Sequence, residues 1–140
     1  MTAAQTTNRT LKLLLRLVGG SMLFAMIFVV APESWMAAIH EALDMGALPT
    51  TPVVGYLARS TSAFYAMFGG LFLLVSFDVM RHQAVLVYLS WVTTVFGVVL
   101  VGIDLFEGMP TSWTLSEGPL VILFGLALLW LSTRLSDSKA

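Results

Sequence analysis

The chain has 140 residues, is 58% hydrophobic and 11% charged, and has a net charge of -1 and a mean hydropathy of +0.90. Soluble proteins carry roughly 25% charged residues, so this composition cannot cover a water-facing surface and marks a single transmembrane domain over 1–140, with no reason to expect nucleic acid as a partner. The absence of Cys excludes disulfides, thiolate zinc sites and iron–sulfur clusters.

The first apolar segment, 13–31, carries one charge, Arg16. Arg9 and Lys12 precede it, and Val29-Val30-Ala31 loosely resembles a signal-peptide cleavage site. The run is longer than a signal core of about 7–15 residues, and Pro32 follows at once, so it reads as a retained helix. The next stretch, 33–45, places Trp35, Ile39, Leu43 and Met36 at helical spacing, with Glu33, His40, Glu41 and Asp44 elsewhere on the wheel. That pattern predicts a short amphipathic helix lying in the interface, anchored by Trp35 and ended by Gly46. It serves as a plain anchor or as a lid over a pocket.

A second spanning helix is expected over 52–77, capped by Thr51 with Pro52 at its first position. It contains Arg59, about 10 Å along the axis from Pro52 at 1.5 Å per residue. Ser62, Ala66 and Gly69 or Gly70 follow Arg59 at steps of three and four, a small-residue face suited to close helix packing.

The third helix, 83–104, has no charge before Asp104 and presents Ser90, Thr94, Gly97, Val101 and Asp104 along one face. Glu107 lies one turn further, and Gly108-Met109-Pro110 breaks the chain. The fourth helix is expected over 117–133, with Ser116 as its cap and Pro119 in its first turn; Trp113 anchors the preceding loop. A bilayer core of about 30 Å needs about 20 apolar residues per helix, and in hydrocarbon the backbone must bond to itself. The expected fold is all-α, an integral membrane four-helix bundle with an interfacial helix in its first outer loop.

Arg9, Lys12, Arg16, Arg81, Arg134 and Lys139 fall on one side of this layout, six of the seven basic residues. Glu33, Glu41, Asp44, Asp104, Glu107 and Glu117 fall on the other. The loops are short, so the positive-inside rule puts both termini in the cytoplasm. Arg59 is the single basic residue on the acidic side.

Arg59 therefore carries the main question. Its guanidinium can snorkel to the interface, fix helix register through an ion pair with Asp104 or, second, Glu107, or receive the polar head of an apolar ligand. Arg59, Asp104, Glu107, Ser62 and Thr94 form the candidate ligand site or buried ion pair. His40 and His82 fall on opposite sides of the membrane and cannot jointly hold a haem or metal. The eight Met residues read as packing. No hydrolase, zinc-protease or nucleotide-binding motif occurs in the right context, and no catalytic or metal-ligating residue is assigned.

An apolar helix closing with Ala31-Pro32, a Trp-containing amphipathic loop, Leu57-Ala58-Arg59 early in the second helix and a tight turn from Asp78 to Arg81 together resemble the DoxX-like group of small bacterial four-helix membrane proteins. The resemblance covers Leu13 to Leu131, with Arg59 and the Asp78–Arg81 turn as the residues carried over. It implies a four-helix bundle in the bacterial inner membrane, and it points to quinone or lipid-like ligands. The acidic catalytic residues of the similarly laid-out sterol-processing proteins have no match here. The expected function is that of a non-catalytic accessory subunit or binder of an apolar lipid-like or quinone-like ligand, in contact with the bilayer, with a homo-oligomer or larger membrane complex as further partners. The alternatives are a membrane enzyme or electron-transfer partner acting on a quinone or isoprenoid, and an oligomeric channel or transporter.

Overall fold

The computed structural model describes residues 2–137 and is all-helical among them. It contains α1 (Ala3–Phe24), α2 (Met26–Val30), α3 (Glu33–Ala42), α4 (Pro52–Phe77), α5 (Gln83–Glu107) and α6 (Thr111–Asp137). Lys139, counted among the basic residues, lies outside the described range. Four helical stretches are long and apolar enough to cross a membrane: Ala4–Val30, Pro52–Phe77, Gln83–Glu107 and Thr111–Leu135. Only 11–28% of each apolar window is buried by protein. The remaining apolar surface suits lipid, and the chain is a multi-pass membrane protein.

The first helix starts ten residues before the expected Leu13. Thr2 and Gln5 form a reciprocal capping box: Thr2 N donates to Gln5 Oε1 at 3.0 Å, and Gln5 N donates to Thr2 Oγ1 at 3.3 Å. The division between α1 and α2 is a local tightening at Ala25. There Ala25 N donates to Met22 O and Phe28 N to Ala25 O, both three-residue steps.

Interfacial helix α3 is three residues shorter than expected. The left-handed residue that ends it is Asp44, at φ 62°, ahead of the expected stop Gly46. Met45 N donates to His40 O and Asp44 N to Glu41 O, the paired bonds of a Schellman ending. His40 Nδ1 then donates to Gly46 O at 2.9 Å, which gives that histidine a structural partner.

Helix α4 has the expected bounds. Helix α5 runs three residues beyond Asp104, because the left-handed turn falls at Gly108 (φ 67°), where the Gly108 and Met109 amides both close onto Asp104 O. Helix α6 also departs from expectation: it begins at Thr111, six residues before the expected 117. The carbonyl of Pro110 accepts from Trp113 N and Thr114 N, so the first turn forms immediately after that proline. Ser116 is no cap; its hydroxyl donates back to Trp113 O at 3.0 Å. Pro119 consequently lies inside the helix. Its missing N–H leaves Leu115 O without the usual helical donor, a defect that membrane helices tolerate.

Packing groups the chain into two compact units, one of Leu15–Leu74 and the other joining the residues up to Leu14 with those from Val75 onward. In the first unit, α1 and α4 meet at Gly19 and Gly69. A methyl added to Gly69 would lie 2.6 Å from Gly19 O, so the two backbones touch. Ala66, one turn earlier, is 2% exposed. Of the two glycines offered by the sequence, Gly69 makes the contact and Gly70 has open space.

In the second unit, α5 and α6 pack closely. Gly97 lies against Ile122 and Gly118, Val101 against Gly118, and Thr94 with Ser90 against Gly125. The small-residue face of α5 is thus the seat of α6. Small side chains let the backbones approach where apolar burial supplies no driving force.

Candidate functional site

Arg59 sits two turns into α4 and is half-buried. Its Nη1 donates to Val29 O at 2.6 Å and its Nη2 to Ala31 O at 3.0 Å. The sequence creates the need for this fork. The residue before Pro32 is driven to extended backbone, here Ala31 (ψ 144°), so the helix stops and the carbonyls of Val29 and Ala31 have no helical donors. A guanidinium supplies two donors in fixed geometry, and its charge complements the negative end of the helix. Ser62 donates to Ala58 O at 2.8 Å.

The other unit satisfies its hydroxyls in the same way. Ser90 donates to Leu86 O at 2.7 Å and Thr94 to Ser90 O at 2.8 Å. Asp104 is different. It is 4% exposed, and its Oδ2 is buried with no hydrogen-bond partner among the described residues. It lines a half-open cleft of about 200 Å³ with Leu105, Gly108, Met109, Thr111, Thr114 and Leu115. The left-handed turn at Gly108 and the early start of α6 build this cleft, because together they set the last turn of α5 beside the first turn of α6. Close by, Trp113 Nε1 donates to Glu117 Oε2 at 2.7 Å.

The expected site residues thus fall into separate groups. Asp104 lines the cleft, and Glu107 stands exposed in the same last turn of α5. Thr94 lies about 15 Å back along α5 at 1.5 Å per residue, against α6 rather than in the cleft. Arg59 and Ser62 belong to the unit of Leu15–Leu74. Of the anchors, Trp35 is exposed on α3 and Trp113 half-buried on α6. Among the described residues no group of three His, Asp or Glu side chains is placed to hold a metal ion.

Sequence reasoning missed Gly108, Thr111 and Thr114 as site residues, since it treated them as loop. The available signal was Pro110 directly before Thr111, a helix-start position for proline. These features define a multi-pass, all-α membrane protein with a buried carboxylate at one end of a helix pair. No family model matches the chain, and comparison with curated proteins and with solved structures gives no significant match.

Proposed function

We propose that this protein is a non-catalytic, DoxX-like protein of the bacterial inner membrane, with both termini in the cytoplasm, that binds an apolar lipid-like ligand at the outer ends of α5 and α6. One observation carries the reading: Asp104 holds a buried, unpartnered carboxylate oxygen in the wall of a cleft. Arg59, Ser62, Ser90 and Thr94 bond to backbone carbonyls within the protein, and Glu117 is met by Trp113 Nε1. An orphan acceptor is strongly unfavourable in a poorly hydrated place, so a ligand that supplies a donor gains from it. Leu105, Met109 and Leu115 give the cleft apolar walls for a tail. A quinone-like molecule would fit as its reduced, hydroxyl-bearing form, since a quinone carbonyl brings only a second acceptor.

The test is mass spectrometry of small molecules that co-purify with the detergent-extracted protein. The wild type should carry a lipid-like species that is depleted in both Asp104→Asn and Leu115→Trp, the second of which fills the cleft. The same small-molecule content in all three would overturn the reading.

A further inference from the structure

The chemical class of the ligand head follows from charge, and this step rests on the ligand-binding reading above. Between 83 and 133 the chain contains Asp104, Glu107 and Glu117 and no Lys, Arg or His. The charges of Asp104 and Glu117 repel each other. The C-terminal end of the 25-residue helix α5 adds a negative partial charge at the same place. The start of α6 brings the opposite partial charge, of which the Trp113 amide is taken up by Pro110 O.

An ionised carboxylate is acceptor-only. A buried one is retained only with a positive partner or a proton. From these observations we infer that the cleft takes a hydrogen-bond-donating cation: a primary or secondary ammonium on an apolar tail. The ammonium meets the Asp104 carboxylate, with the Thr111 and Thr114 hydroxyls at the rim, and the tail lies on Leu105, Met109 and Leu115. Against the ionised carboxylate, anionic and carbonyl heads set acceptor against acceptor. The volume of about 200 Å³ is well above the about 10–15 Å³ of such space that a single water needs, room for an ammonium and a short alkyl stem.

Calorimetric titration of the full-length protein in neutral maltoside micelles with three soluble probes tests this. The probes are n-hexylammonium, hexyltrimethylammonium and 1-hexanol. Wild type should bind n-hexylammonium at least about tenfold more tightly than either of the others, a difference of about 1.4 kcal/mol. Asp104→Asn should abolish that preference. Leu115→Trp should weaken n-hexylammonium binding while leaving the carboxylate in place, which keeps the test informative should the Asn variant fail to fold. Hexanol or hexyltrimethylammonium binding as well as n-hexylammonium, and equally sensitive to both variants, would overturn the ammonium assignment while the ligand-binding reading stands. Binding that neither variant changes would overturn both.

Discussion

Arg59 of α4 holds the end of α2 through Val29, donating from Nη1 to its carbonyl oxygen at 2.6 Å. The second nitrogen reaches Ala31 O at 3.0 Å, so one side chain ties two helices through backbone atoms alone. The same residue that breaks the charge pattern in the sequence completes the hydrogen bonding at the end of α2, where the backbone turns extended before Pro32.

Replacing this fork should therefore destabilise the protein in a graded way. Arg59→Ala leaves two partly buried carbonyls without donors, at about 1–3 kcal/mol for each unsatisfied group. Arg59→Lys keeps the charge but not the planar fork, and should lose less. Thermal unfolding in detergent should rank wild type above Lys and Lys above Ala. Equal melting for all three would remove the capping role.

The glycines provide matched comparisons. Gly69→Ala and Gly97→Ala each place a methyl against backbone or a tightly packed side chain, at 2.6 Å from Gly19 O and 2.7 Å from Ile122 N. Overpacking of this kind costs about 1–3 kcal/mol. Gly70→Ala and Gly102→Ala meet open space and should be neutral or stabilising by up to about 1 kcal/mol, the helix-propensity gain of Ala over Gly. Melting temperatures of the four variants check the sign at each site; a fall for Gly70→Ala as large as that for Gly69→Ala would contradict the packing described.

Pro119 lies inside α6, where it leaves Leu115 O without an amide. Pro119→Ala restores that donor and should raise stability by about 1–3 kcal/mol, within the propensity difference between the two residues. Hydrogen exchange gives an independent check. The Leu115 to Glu117 amides of the wild type should be protected, as they are in a helix that starts at Thr111. Rapid exchange there would restore Ser116 as the start.

The helices were legible where hydrophobic pattern and end signals agree. Pro52 and Phe77 bound α4 in sequence and structure alike, since Pro at the first position and the polar Asp78 turn mark both ends. The start of α6 was obscured because Pro119 suggests a first turn and Thr111 to Glu117 are mostly polar, with only Trp113 and Leu115 apolar. The start of α1 was obscured because the Thr2–Gln5 box precedes the apolar run by two turns. For the site, Asp104 stood out as a charge at the end of an apolar helix. The cleft beside it did not, because it depends on the left-handed turn at Gly108 and on the register between two helix ends. Arg59 was legible as a residue facing inward; its partners are backbone carbonyls, which carry no sequence signature.

The orientation expected from charge can be measured directly. Asp44 lies in the turn after α3, and Met109 in the turn between α5 and α6. Both turns sit on the side of Glu33, Glu41, Glu107 and Glu117. Gln83, after the Asp78–His82 turn, sits on the side of Arg9, Lys12 and Arg81. Lys and Arg in short loops stay in the cytoplasm. The chain has no native Cys, so single cysteines report without background. Asp44→Cys and Met109→Cys in intact cells should react with a membrane-impermeant maleimide. Gln83→Cys should react only after the membrane is opened. The reverse pattern would invert the protein and put the Asp104 cleft on the cytoplasmic face, where its ligand would have to come from the inner leaflet.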